Sequence, residues 1–351
     1  MAINKSAGDW PEVISDEAQL DDLLSRPPQS VVATFSRMKG DLAIVGGGGK
    51  IGPSLTAMAL RARQAAGTRQ NIYVIDRFPD SAVRDTLEKA GAKTVACDLL
   101  DDSAVSHLPE AANVVYMVGM KFGTMDRPDF TWAVNGIIPA YVSRRYRDSR
   151  IVAFSTGCVY SLVPVASGGS VEADPLEPMG EYSNSCVARE RIMQYFANTF
   201  GTKLLLLRLN YAVELRYGVL VDLANDIAAG KSVDVTMGHV NVIWQGDVNA
   251  ATLRLLEHAA SPPAALNLTG KDTLPIRDLA TELGRLMGKK VQFKGAEAPT
   301  ALLSNSSKAY KILGQPEMPI SQVLKWVAQW TAKGGRMLGK PTHFQTRDGK
   351  Y

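Results

Sequence analysis

The sequence predicts an α/β fold, a doubly wound parallel sheet with a smaller C-terminal α/β lobe. Three observations carry this. Short apolar runs alternate with helix-compatible stretches from about residue 41 to residue 209, the pattern of strands joined by right-handed crossover helices. The first run, Leu42-Ala-Ile-Val45, breaks into Gly46-Gly47-Gly48-Gly49-Lys50-Ile51-Gly52 before a helical segment opens. The second run, Asn71-Ile-Tyr-Val-Ile-Asp76, ends in an acid.

Taken in order, residues 1–40 read as an N-terminal helical extension. Ser15-Asp-Glu-Ala-Gln-Leu-Asp-Asp-Leu-Leu is an acidic helix with Ser15 as its N-cap, stopped by Pro27-Pro28. Residues 41–209 form the nucleotide-binding domain, with strands expected over 42–45, 72–76, 94–97, 113–118, 151–154 and 204–209 and a helix over 54–66. Ligands of such sheets bind at the carboxyl ends of the strands. Beyond Arg208 the alternation loosens. Helices are expected over 218–229, 247–258, 276–288 and 320–333, with short strands at Val233-Asp-Val, Leu266-Asn-Leu and Val291-Gln-Phe. Residues 210–239 and 271–333 read as a substrate lobe, and a segment of about 240–270 returns to the nucleotide-binding domain. The stretch 334–351 has no periodicity and reads as a flexible tail or a tethered arm.

Composition narrows the class. With 46% hydrophobic and 21% charged residues, a chain of 351 is an ordinary soluble protein large enough for a sizeable core. Apolar runs fall short of the ~18 residues that cross a bilayer, and the first residues lack a secretory apolar block. A cytoplasmic location and no membrane partner are therefore expected. Cys97, Cys158 and Cys186 form no CxxC pair, and His107, His239, His258 and His343 have no ligand spacing, so reduced thiols and no metal are expected. The net charge of +4 is diffuse rather than gathered on one face, which argues against a nucleic-acid partner.

Glycine serves where backbone takes φ > 0 or approaches a ligand closely, and free N–H groups at the following helix start favour an anion. Gly46, Gly49 and Gly52 stand at GxxGxxG spacing, the arrangement that cradles a dinucleotide pyrophosphate. Asp76 then falls where the adenosine ribose hydroxyls arrive. A carboxylate there accepts their hydrogen bonds and repels a 2′-phosphate, so NAD is expected over NADP. Arg77 and Lys50 are the neighbouring cations that could host a phosphate instead.

In this Rossmann-type frame the chain resembles the NAD-dependent epimerase/dehydratase family of the extended short-chain dehydrogenase/reductase superfamily, from about Asp41 to about Trp330. Cys97-Asp98-Leu99 resembles the strand end that holds the adenine. Val114-Val-Tyr-Met-Val-Gly119 resembles the apolar strand that ends in small residues, and Met120-Lys121-Phe-Gly follows it. Lys121 is similar to a lysine near cofactor and substrate in UDP-galactose epimerases. Phe154-Ser-Thr-Gly-Cys-Val-Tyr160 resembles the family's fifth-strand signature and gives Thr156 the place of its catalytic hydroxyl. Glu172-Ala-Asp-Pro-Leu-Glu-Pro178-Met-Gly-Glu-Tyr182 resembles the approach to the catalytic tyrosine, and Gly246-Asp247-Val248 and Asn267-Leu-Thr-Gly270 resemble the later helix start and strand.

The resemblance implies that Gly46, Gly49, Lys50, Ile51, Gly52, Asp76, Arg77, Asp98, Leu99, Val118, Gly119 and Tyr182 bind the cofactor. It offers Asn135, Asn210 and Arg216, with Arg208 and Tyr217, as candidates for holding substrate. Arg208-Leu-Asn210 is one residue shorter than the family's usual Arg-x-x-Asn.

One departure stands out. The family has a lysine four residues after the tyrosine, and here the segment is Tyr182-Ser-Asn-Ser-Cys186. At i+4 that lysine lies beside the phenol, where it holds the nicotinamide ribose and favours phenolate. An unperturbed phenol titrates near ~10, so Tyr182 without a cation would stay protonated at neutral pH. Three readings stand open. Lys121 supplies the charge from a neighbouring strand end. Arg189, at i+7, contributes at longer range, although such a residue is more often a solvated helix arginine. Otherwise Tyr182 acts as an acid, or the protein binds NAD without turning it over.

The resemblance thus implies an NAD-dependent oxidoreductase or epimerase acting on a hydroxyl or keto carbon of a sugar or sugar-acid derivative, with or without a linked nucleotide. Thr156, Tyr182 and Lys121 are its expected catalytic residues. The rival is a redox-silent NAD-binding sensor or scaffold. A homodimer through helices flanking the active-site strand is the superfamily's habit and is expected here.

Overall fold

A computed structural model describes residues 10–121 and 126–350; Phe122 and Gly123, which follow Lys121, and the first nine residues lie outside the described residues. Seven strands build one parallel sheet: β1 (Leu42–Val45), β2 (Ile72–Asp76), β3 (Lys93–Ala96), β4 (Asn113–Tyr116), β5 (Arg150–Thr156), β6 (Lys203–Leu209) and β7 (Ala264–Leu268). Their order across the sheet is β7-β6-β5-β4-β1-β2-β3. The chain runs outward from β1 to β3, then crosses back to β4 and continues the other way. That reversal opens a crevice at the carboxyl ends of β1 and β4. Four of the six expected strands differ in their bounds, β5 running from Arg150 to Thr156 and β6 starting at Lys203. β3 begins at Lys93, and β4 stops at Tyr116 because residues 117–119 turn into the crevice wall.

The helices are α1 (Glu17–Leu24), α2 (Gln29–Arg37), α3 (Gly52–Ala65), α4 (Ser81–Lys89), α5 (Asp102–Ser106), α6 (Pro128–Trp132), α7 (Ile138–Arg145), α8 (Gly180–Phe200), α9 (Val219–Ala228), α10 (Gln245–Leu255), α11 (Ile276–Met287), α12 (Ser307–Leu313) and α13 (Ile320–Ala332). Successive β1 side chains alternate between the two faces of the sheet. Leu42 and Ile44 join Val31, Phe35 and Met58 beneath α2, α3 and α10, whereas Ala43 and Val45 join Tyr116, Ile151 and Leu204 beneath α5, α7 and α8. Both faces are buried, which is why these strands read as unbroken apolar runs.

The C-terminal lobe packs α9, α11 and α13 around Leu220, Leu223, Leu283, Val323 and Trp326. Residues 10–40 are knitted into both units. Leu20, Leu23 and Leu24 of α1 enter the lobe's core, and Trp326 donates its indole N–H to the Pro11 carbonyl at 2.9 Å. The N-cap of α1 is Asp16 rather than Ser15: its carboxylate accepts from Gln19 N at 2.8 Å while Gln19 Oε1 accepts from Ser15 N at 2.7 Å. Helix α2 starts directly after Pro27-Pro28, because a proline at a helix start gives up an N–H that has no intrahelical partner.

Residues 334–350 carry no helix or strand, yet they are packed, which corrects the expectation of a flexible tail. Phe344 is buried, Thr342 bonds Asp222 Oδ2 through its N–H at 2.8 Å and its hydroxyl at 2.6 Å, and Arg347 donates to the Thr300 carbonyl at 2.7 Å. Such single anchors leave no periodic trace in a sequence.

Candidate active site

The glycine loop leaves β1 at the crevice, and its glycines have different tasks. Gly46 has φ +86°, and a Cβ there would come within 2.8 Å of Val118 N. At Gly52 a Cβ would lie 2.1 Å from the Gly47 carbonyl oxygen, so the first turn of α3 packs hard on the loop. At Gly49 it would meet only the Gly46 carbonyl oxygen at 3.6 Å. Backbone bared in this way at the start of a helix fits a dinucleotide pyrophosphate. At the end of β2, Asp76 accepts from Gly48 N at 2.9 Å and from Arg77 N at 2.7 Å.

Two cavities of about 400 and 390 Å³ share Gly46, Gly49, Val118, Gly119 and Lys121. The first continues over Asp76, Arg77, Asp98 and Leu99, and the second over Lys50, Ile51, Gly52, Thr156, Tyr182, Asn210 and Tyr217. All the residues expected at the cofactor thus line one cleft, and the expected catalytic residues stand at its other end.

Thr156 closes β5 and Tyr182 lies in the first turn of α8. Their hydroxyls lie close enough for Thr156 to bear on the ionisation of the phenol, and Thr156 Oγ1 accepts from Cys158 N at 3.1 Å. Burial, reinforced by the thiols of Cys186 and Cys158, pushes the Tyr182 phenol well above its usual range, against the opposing pull of Arg189 and Thr156.

Lys121 reaches this end, but onto the ring rather than the hydroxyl. Its ammonium donates to the Thr342 carbonyl at 3.1 Å and lies 5.8 Å from the centroid of the Tyr182 ring. The Lys50 ammonium sits 3.3 Å from the Tyr217 ring centroid, and burial with the charges of Lys121 and Lys340 brings its pKa down to about 7. Three lysines therefore meet at one cavity, which Arg189 also lines. Lys340 and Thr342 come from the C-terminal arm, which carried no motif by which the sequence could announce them.

Arg189 is not the solvated helix arginine that its position suggested. It is 4% exposed, donates from Nη1 to the Val118 carbonyl at 2.9 Å and approaches Cys186 Sγ through Nη2 at 3.2 Å. Gly119 makes the space, since a Cβ there would lie 2.7 Å from Nη1. The spacing of Arg189 three residues beyond Cys186, one helical turn, was the available signal.

Other candidates have structural duties. Arg216, expected at substrate, places Nε on Glu214 at 3.1 Å, Nη1 on Glu17 at 3.2 Å and Nη2 on Asp21 at 2.9 Å, tying α1 to the lobe. Arg208 is sealed in a buried pair with Glu190 at 2.8 Å. Asn135 sits in a π-turn between α6 and α7, accepts from Met120 N at 3.1 Å and donates to Ser185 Oγ at 2.8 Å, so it fixes the segment after β4 against α8. Asn210 does line the cavity, with its Nδ2 directed to the Leu302 carbonyl at 3.3 Å.

Among known families, residues 42–268 match the NAD dependent epimerase/dehydratase family. No curated protein sequence matches the chain. Several solved structures share the fold at low identity. UDP-glucose 4-epimerase of Thermotoga maritima, solved with UDP-glucose, is 18% identical with a TM-score of 0.69, over 84% of this chain and 99% of that one. UDP-glucuronic acid 4-epimerase of Bacillus cereus, solved with NAD, is 17% identical with a TM-score of 0.69, over 83% and 99%. MoeE5, solved with UDP-glucose and NAD, is 18% identical with a TM-score of 0.67, over 84% and 99%. No helix among the described residues is long and apolar enough to cross a membrane.

Proposed function

The chain belongs to the NAD dependent epimerase/dehydratase family, and from that membership we propose that it epimerises, dehydrates or oxidises an anionic sugar derivative at a hydroxyl-bearing carbon. The observation that carries this reading is that Thr156 and Tyr182 stand together on the wall of a cavity continuous with the glycine-loop cleft. When bound, NAD supplies a nicotinamide carbon that accepts and returns hydride. Gly46, Gly49 and the start of α3 would hold its pyrophosphate and Asp76 its adenosine ribose.

Thr156 would hold the substrate oxygen while Tyr182 moves the proton on it. Because burial keeps the phenol protonated, the resting site is set to donate to a carbonyl oxygen, and accepting a proton needs a nearby positive charge. Lys50, Lys121 and Lys340 favour a substrate with a negative group close to the reacting carbon. Like charges crowded out of water are relieved by an anion among them, as a sugar carboxylate or a linked phosphate provides. The naming of the Bacillus cereus neighbour as a UDP-glucuronic acid epimerase supports the same class for this chain.

The test is incubation of the NAD-loaded protein with UDP-glucose, UDP-glucuronic acid and free sugar acids, reading absorbance at ~340 nm and product stereochemistry by NMR. Turnover of an anionic substrate is expected, with Tyr182→Phe lowering it about 100-fold or more. Bound nicotinamide that stays unreduced and products that never form, across the whole panel, would favour a redox-silent NAD-binding protein.

A further inference from the structure

We infer that Arg189 is the positioning residue of this site, a fixed buried cation set beside the Tyr182 phenol and against the Val118-Gly119 wall of the dinucleotide cleft. The inference rests on the proposed role of Tyr182. Three observations converge on it.

The guanidinium is almost wholly out of water and makes no ion pair among the described residues. Its bonds run to a carbonyl and a thiol, and its Nε is buried with no partner among the described residues. The adjacent carboxylate of Glu190 is committed to Arg208 and to the Ser155 hydroxyl. A buried cation left in this state is costly, and a fold keeps one where negative charge arrives or develops beside it.

The surroundings are also built to admit it. Gly119 has no side chain where Nη1 lies, and Cys186, one turn earlier on α8, is small enough for the arginine to fold back over it. Finally, burial holds Tyr116 and Cys186, which face the pair, in their neutral forms. Tyr116, Cys158 and Cys186 are all buried, Tyr116 with no hydrogen-bond partner among the described residues. Lys121 is the other cation near Tyr182, and it stands over the ring. The charge of Arg189 therefore falls on Tyr182, a phenol that lines the cavity, and on whatever binds along Val118 and Gly119.

In this arrangement a cation from the second turn beyond the tyrosine does the electrostatic work that a lysine at position 186 would do from the first. The phenol is drawn toward ionisation by a group that cannot itself lose its proton.

The experiment uses two readouts that need no sugar substrate, so it reports even if the proposed substrate class fails. NAD affinity is measured by calorimetry. Tyr182 ionisation is measured as tyrosinate absorbance, taken as the difference between each protein and its Tyr182→Phe counterpart. Arg189→Met is expected to weaken NAD about tenfold and to move the Tyr182 titration upward by about one unit or more. Adding Cys186→Lys to Arg189→Met should recover both, which a merely structural arginine would not allow. Unchanged readings in Arg189→Met overturn the inference, as does failure of Cys186→Lys to recover either one in a protein that unfolds at the parental temperature. If Arg189→Met does not fold, Arg189→Lys replaces it. Retention of both readings then supports the inference, and loss of both in a folded protein overturns it.

Discussion

Gly49→Val separates the ligand-facing duty of the glycine loop from its structural one. A Cβ at Gly49 meets a single atom, the Gly46 carbonyl oxygen, at 3.6 Å, an ordinary contact, so stability should hold to within about 0.5 kcal/mol. The same carbon at Gly52 would stand 2.1 Å from the Gly47 carbonyl oxygen and must displace backbone, at a cost of about 1–3 kcal/mol. For NAD the weight falls on position 49. A branched side chain there takes the space where the pyrophosphate meets backbone N–H groups. Loss of two such charge-assisted bonds, at about 1.5 kcal/mol each, amounts to roughly 3 kcal/mol, a fall in affinity of about 100-fold. Urea unfolding measures the first quantity and calorimetry with NAD the second. Gly49→Val that binds NAD within about twofold of the parent would refute the reasoning, and the loop would then be a turn with no ligand to serve.

Three further outcomes are expected. Asp76→Ala should narrow the preference for NAD over NADP in paired calorimetric titrations, because the carboxylate that repels a 2′-phosphate is gone; an unchanged ratio places the discrimination elsewhere. Arg216→Met should lower stability by about 3 kcal/mol, since it strands the buried Glu214 carboxylate, while NAD affinity stays at the parental value; a stable variant would return Arg216 to the list of substrate ligands. Lys50 titrates at about 7 in the folded chain against an ordinary 10.5, so the folded state binds fewer protons than the unfolded one between those values. Its destabilisation is therefore full below pH 7 and fades as pH rises through that window. Lys50→Met should raise the urea midpoint at about pH 6 and lose that advantage near pH 10, and an equal gain at both would show that the ammonium is not desolvated.

The sequence was enough for whatever repeats locally or is spelled as a short contiguous motif. The strands of the sheet could be read because a parallel sheet buried on both faces demands unbroken apolar runs, as in Leu42–Val45 and Leu204–Leu207. The loop at Gly46–Gly52 and the acid at the end of β2 could be read because each is one turn or strand end whose backbone geometry restricts the residues that fit, and the Thr156 and Tyr182 segments because they resemble motifs of the family. What only tertiary structure decided was which distant side chains meet. Arg216 has the composition of a substrate ligand and is consumed by Glu17, Asp21 and Glu214, whereas Arg189 has the look of a surface arginine and lies buried at the site. An arginine carries the same charge in either place. Whether it meets a carboxylate, a carbonyl or a ligand depends on the packing of α1 against the lobe and of α8 against residues 118–119. For the same reason the stretch 334–350 read as a tail. Its anchors, Thr342 on Asp222 and Arg347 on Thr300, are isolated long-range contacts, and they exist only once the sheet and the lobe have brought their partners within reach.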